Sequence, residues 1–196
     1  MRRGAAHLFA AATGLAWVAP ACAPTDVPLA ILPTEEEAGS SFRCQSLSDC
    51  PPGTYCDKSS CDAYSGTCEL FPAECPNDED PFCGCVDGIT YFNDCLRKAS
   101  AIAASSPGSC RLAVASTCAG PQNGVCPDGA VCGQLLGTNP SDCASDAEGI
   151  CWVLPAQCPT SDPNEWDPCP SNGPRCLDTC TAIRNGGPYI RGLSCR

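Results

Sequence analysis

Residues 75–110 read CPNDEDPFCGCVDGITYFNDCLRKASAIAASSPGSC, and the other segments of the chain take their meaning from this one. Asp87-Gly88 is a turn dipeptide: Asp bonds to nearby backbone, and Gly takes a positive φ without strain. Ile89, Thr90 and Tyr91 are β-branched or aromatic and favour a strand. Leu96, Ala99, Ile102 and Ala103 recur at helical spacing, and Pro107-Gly108 ends that pattern. The expected order is therefore loop, turn, short strand, helix. The loop between Cys75 and Cys83 has seven residues, with Pro76 and Pro81 near its ends and an acidic run Asp78-Glu79-Asp80 between them. Fastened at both ends, such a loop loses little entropy on binding.

Outward from this segment, cysteine dominates. The 196 residues include 21 Cys, 20 Pro and 18 Gly, with only 17% charged and 6% aromatic residues. That composition describes a disulfide scaffold, with too little apolar material for one large core. Apart from Cys22, the cysteines form two sets of ten. The first is Cys44, 50, 56, 61, 68, 75, 83, 85, 95 and 110; the second is Cys118, 126, 132, 143, 151, 158, 169, 176, 180 and 195. Cys50-Pro51-Pro52-Gly53-Thr54-Tyr55-Cys56 aligns with Cys126-Pro127-Asp128-Gly129-Ala130-Val131-Cys132. Pro72-Ala73-Glu74-Cys75 aligns with Pro155-Ala156-Gln157-Cys158, and 14 residues separate the last two cysteines of both sets. This is an internal duplication. The expected fold is small, disulfide-rich α+β: two tandem Cys-rich modules, 44–110 and 118–196, each with short strands and one short helix. Residues 111–117 link them.

At the N-terminus, Arg2-Arg3 precede an apolar run that is too short to span a bilayer and fits a signal peptide over 1–21. Two cuts fit Ala19-Pro20-Ala21-Cys22-Ala23. One follows a small-x-small triplet, as in ordinary secretion. The other lies directly before Cys22, which would then be lipidated as in bacterial lipoproteins. Removing Cys22 leaves an even number of cysteines, as full pairing requires. Residues 22–43, with Glu35-Glu36-Glu37 and no further cysteine, read as a flexible acidic tether. Either cut implies export to an oxidising compartment, as a cell-envelope lipoprotein or a secreted protein. The only membrane contact expected is a lipid anchor at Cys22.

Several functions are excluded. The single His, His7, lies in the leader, so the mature chain has no Ser-His-Asp or Cys-His machinery. No enzyme is expected. Formal net charge is −11, and loss of Arg2 and Arg3 makes it two units more negative, which argues against nucleic acid. The close pairs Cys83-Gly84-Cys85 and Cys176-x3-Cys180 lack the second pair or the His that a structural zinc site uses. No calcium-loop spacing surrounds Asp78, Glu79 and Asp80. No metal or cofactor is implied.

The seven-residue loop, Pro81 two before Cys83, Cys83-Gly84, and Asp87-Gly88-Ile89-Thr90-Tyr91-Phe92-Asn93-Asp94-Cys95 with the closing Gly108-Ser109-Cys110 resemble the Kazal family of serine protease inhibitors. The Cys-Gly-Cys form, with a Cys-rich stretch before it, is similar to Kazal-like modules of bacterial exported proteins. The resemblance covers 68–110. It implies a reactive loop with Pro76 at P2, Asn77 at P1 and Asp78 at P1′, followed by Glu79. It also implies loop support by Asn93 from behind and by Tyr91 in the small core, and a serine protease as partner. Val86 adds a residue to the family spacing, and no Cys stands near Ala99. Cys85 is the substitute, which implies the pairs Cys68–Cys85, Cys75–Cys95 and Cys83–Cys110. The second copy is a degenerate Kazal-like module. Cys158 to Cys169 encloses ten residues, the Asp-Gly-x-Thr-Tyr-x-Asn block is missing, and no counterpart of Asn93 is expected. A spacer or binding surface fits it better, with Trp166 either an exposed anchor or a core residue. The alternative for the whole chain is a non-inhibitory surface module that binds protein or matrix.

Overall fold

The computed structural model describes residues 42–120, 124–139, 142–144, 146–160, 165–169 and 176–192. The leader, Cys22 and all but the last two residues of the tether lie outside them, as do 170–175 and Cys195. The described residues belong to one compact unit.

The cysteine-rich extension 42–70 makes its own small sheet. Strands β1 (Arg43–Cys44), β2 (Thr54–Asp57) and β3 (Gly66–Leu70) run antiparallel in the order β1-β3-β2. Cys44–Cys56 and Cys50–Cys68 close it on itself. Tyr55 is buried there against Phe71, ring centroids 5.3 Å apart.

The rest is dominated by strands. From the first cysteine set come β4 (Phe82–Gly84), β5 (Thr90–Tyr91) and β6 (Ala104–Pro107), with helix α1 (Asp94–Ala99) after β5. The second set adds β7 (Thr117–Ala119), β8 (Val131–Leu135), β9 (Glu148–Val153) and β10 (Trp166–Pro168), then α2 (Thr179–Asn185) and β11 (Pro188–Arg191). All eight strands join one sheet, ordered β10-β11-β8-β9-β5-β4-β6, with β7 also on β9. The contact between copies is parallel: Thr90 opposes Trp152 and Tyr91 opposes Val153.

Both apolar clusters draw on both cysteine sets. Ile89 and Tyr91 pack with Cys118 and Cys151; Phe92 packs with Trp152, Cys180 and Ile183. The segment expected as a linker is folded back on the first copy. Val114 and Ala115 N–H donate to Arg111 O, and Ser116 N–H donates to Gly88 O at 2.8 Å.

Helix α1 is shorter than its periodicity predicts. It stops at Ala99, and Ala101 takes φ 56°. Ala101 N–H bonds Lys98 O and Ile102 N–H bonds Arg97 O, the paired contacts of a Schellman end. Ile102 and Ala103 therefore leave the helix, and the following residues enter β6, which pairs with β4.

The bridges described stay within one set. In order of occurrence, both sets join first to third (Cys44–Cys56, Cys118–Cys132), second to fifth (Cys50–Cys68, Cys126–Cys151) and sixth to ninth (Cys75–Cys95, Cys158–Cys180). They differ at the fourth cysteine, which joins the eighth in one set (Cys61–Cys85) and the seventh in the other (Cys143–Cys169). The expected Cys68–Cys85 pair is thus corrected. Cys68 lies in β3 and is used by the small sheet, so Cys85 takes Cys61 from the β2–β3 connection and ties that sheet to the rest.

Candidate functional site

The loop between Cys75 and Cys83 has no regular structure up to β4, and Pro76, Asn77, Asp78 and Asp80 are exposed. Its ends are covalently fixed by Cys75–Cys95 and Cys83–Cys110. Between them its backbone is held from behind. Asn93 Nδ2 donates to Pro76 O at 2.8 Å and to Asp78 O at 3.2 Å, one carbonyl on each side of Asn77. Asp80 N–H donates to Phe92 O at 3.1 Å, and Pro81 O accepts from Gly108 N–H.

Asn93 is placed by the start of α1. It is the N-cap: its Oδ1 accepts from Leu96 N–H at 3.0 Å, which leaves the amide N–H₂ facing the loop. Only an amide satisfies both demands, since a carboxylate or hydroxyl caps the helix but cannot donate twice. The side chain is buried, 3% exposed.

The turn before β5 uses the Asp-Gly signal directly. Asp87 Oδ1 accepts from Ile89 N–H, and Gly88 has φ 62°. Asp87 Oδ2 accepts from the Tyr91 hydroxyl at 2.6 Å. Gly84 is required beside them, because a Cβ there would sit 2.2 Å from Asp87 Oδ1 and 3.1 Å from the Tyr91 ring. Thr90 is fully buried, and its Oγ1 accepts from Cys110 N–H. Burial, then the bond to Asp87, push the Tyr91 phenol above its usual range. Tyr91→Phe should lower stability by about 1–2 kcal/mol, since it strips a charged acceptor of its partner. A denaturant midpoint checks this, and the loop hydrogen bonds should persist.

Sequence reasoning missed two residues. Arg97 reads as a surface helix residue yet is 3% exposed. Its Nε bonds Asp94 Oδ1 at 2.7 Å, and Nη1 reaches Asp57 Oδ1 at 3.3 Å and Ile102 O. Phe92 is wholly buried. Its signal is the adjacent pair Tyr91-Phe92, which reads as a strand buried on both faces.

In the second copy, Asp178 stands two residues before Cys180, as Asn93 stands two before Cys95. It caps α2 in the same way, with Oδ1 accepting from Thr181 N–H at 2.8 Å. This corrects the expectation that Asn93 has no counterpart there. The counterpart exists, but its side chain is a carboxyl group and has no N–H to donate. Trp166 is half-buried, and its Nε1 donates to Thr179 Oγ1.

Sulfurs cluster at Cys44, Cys50 and Cys68, and again at Cys118, Cys126 and Cys151. All six belong to disulfides, so these clusters offer no thiolate. The bridges fit folding outside the reducing cytosol. No helix of the described residues is long and apolar enough to cross a membrane.

No protein-family model matches the chain, and no curated protein matches it.

Proposed function

We propose that this chain is an exported serine protease inhibitor that offers the Cys75–Cys83 loop to its target as a substrate-like segment. In this reading the fold is a two-module α+β scaffold whose first module is Kazal-like. The bound protease aligns the Asn77–Asp78 bond for attack, but the loop neither opens nor leaves. The observation that carries this is the bracing by Asn93. One side chain holds Pro76 O and Asp78 O, one on either side of that bond. After cleavage both new ends would still be held by this side chain and by the bridges at Cys75 and Cys83, so rejoining competes with release. Asn77 brings neither charge nor much apolar area to a specificity pocket. The exposed Asp78 and Asp80 favour a target with a basic surface beside its active site. The reading includes no catalysis by this chain, no cofactor and no nucleic acid. Lipid attachment at Cys22 belongs to the same proposal.

The test titrates the oxidised exported chain against elastase-, chymotrypsin-, trypsin- and subtilisin-like enzymes, with Asn77→Leu alongside. Stoichiometric inhibition should appear for one class and shift towards apolar-pocket enzymes in the variant. Affinity for a cationic target should fall between low and physiological salt, since exposed charges are screened over about 10 Å at 0.1 M. If both forms are inert, or are rapidly cut after residue 77 with all bridges intact, inhibition is wrong and the non-inhibitory binding module replaces it.

A further inference from the structure

We infer that the second copy is the clamp that holds the first copy's loop in its braced shape, with Trp152, Ile183 and strand β9 as positioning elements. The inference rests on the reading of that loop as the functional one.

Phe92 is the joint. It sits between Tyr91, which pairs with β9, and Asn93, which braces the loop. Its N–H donates to Val153 O at 3.0 Å, and its C=O accepts from Asp80 N–H of the loop at 3.1 Å. One residue therefore couples β9 to the loop through its two backbone groups. Its ring, fully buried, packs with Trp152, Cys180 and Ile183, and Leu96 of α1 packs on the same cluster. A second tie lies nearby: Ser116 N–H bonds Gly88 O, while Ser116 O accepts from Cys151 N–H.

Without the second copy, β5 would be a two-residue strand paired only with β4, and the Phe92 ring would face water beside Asn93. A close-packed neighbour is what fixes a side chain's rotamer and hence the groups next to it. The second copy is suited to this role by what it lacks. Asp178 caps α2 without any donor to brace a loop of its own, and Cys180 and Ile183 of α2 face Phe92 instead.

The experiment uses the full oxidised chain and reads amide hydrogen exchange at Asp80, followed by the rate of cutting at 77–78 under excess subtilisin-like protease. Ile183→Ala leaves space under Phe92, and Ile183→Val, a milder truncation, keeps the fold. Tyr189→Ala, at a buried β11 residue outside that cluster, is the control. Asp80 exchange should rise about tenfold or more in Ile183→Ala, less in Ile183→Val, and stay within about twofold of wild type in the control. Cutting should follow the same order. If Asp80 exchange stays within about twofold in both Ile183 variants, or rises equally in the Tyr189 control, the clamp is wrong. If exchange and cutting respond as expected while the native loop inhibits no protease, the clamp stands and the inhibitor reading fails.

Discussion

Asn93→Asp is expected to leave α1 intact and to loosen the loop by roughly 30- to 140-fold. Asp and Asn cap helices about equally well, and a negative charge is welcome at a helix N-terminus. Asp178 already does this in the second copy. What is lost is the N–H₂ group. Pro76 O and Asp78 O lose their donor, and a carboxylate oxygen is pressed towards two carbonyl oxygens in a site 3% exposed. An unsatisfied buried group costs about 1–3 kcal/mol, and these carbonyls belong to exposed residues that water can reach, so about 2–3 kcal/mol for the pair is expected. At 1.4 kcal/mol per factor of ten, that gives the range above. The introduced carboxyl should have its pKa raised, because burial and two facing acceptors disfavour its charged form. Below that pKa its O–H can restore one bond, so the stability defect should shrink as pH falls. Thermal melts from pH 3 to 7 measure this, and cutting at 77–78 near neutrality measures the loop. A variant that is cut no faster than wild type would show that the two Asn93 bonds do not hold the loop.

What could be read in the sequence was local. Asp87-Gly88, Thr90 and Tyr91 announced the turn and the strand because a dipeptide and a run of β formers act over a few residues. The end of α1 could not be read from apolar spacing. Ile102 and Ala103 continue the helical period, yet Ala101 turns left-handed and the chain after them is claimed by β4. Long-range partners were hidden for a different reason. Arg97 meets Asp57 forty residues away, and nothing in either neighbourhood marks the other. The parallel pairing of Tyr91 with Val153 likewise leaves no local trace. Duplication partly compensates. Three of the pairings repeat between the sets, so either copy predicts the other once one is known. The exception falls where Cys83 and Cys85 stand one residue apart in one copy and Cys169 and Cys176 are separated in the other, because spacing there changes which sulfur the fourth cysteine can reach.

The other large effect belongs to Arg97→Met, which should cost about 3 kcal/mol, the lower end of the range for breaking a buried ion pair. Met keeps the length and apolar stem but leaves Asp94 Oδ1, Asp57 Oδ1 and Ile102 O without their donor. The low end is appropriate because the Asp57 and Asp94 side chains are 19% and 31% exposed, so water can partly replace the guanidinium. The pH dependence separates this network from an ordinary surface pair. Burial pushes the Asp94 carboxyl up, but the hydrogen bond and charge of Arg97, then those of Lys98, outweigh it and hold the group below the usual carboxylate value. A pKa depressed on folding contributes stability above the unfolded value, near 4, that is lost as pH falls through the folded one. Wild type should therefore weaken below about pH 4, and Arg97→Met, with Asp94 closer to its ordinary value, should weaken less steeply there. Denaturation profiles from pH 2 to 7 would show the two curves converging at the acid end. Parallel curves, or a cost under about 1 kcal/mol, would mean that Arg97 contributes no more than an exposed pair does. The loop should respond less than it does in Asn93→Asp. Arg97 joins the far end of α1 to β2 alongside the Cys61–Cys85 bridge, whereas the N-cap and Phe92 act at the end of α1 that touches the loop.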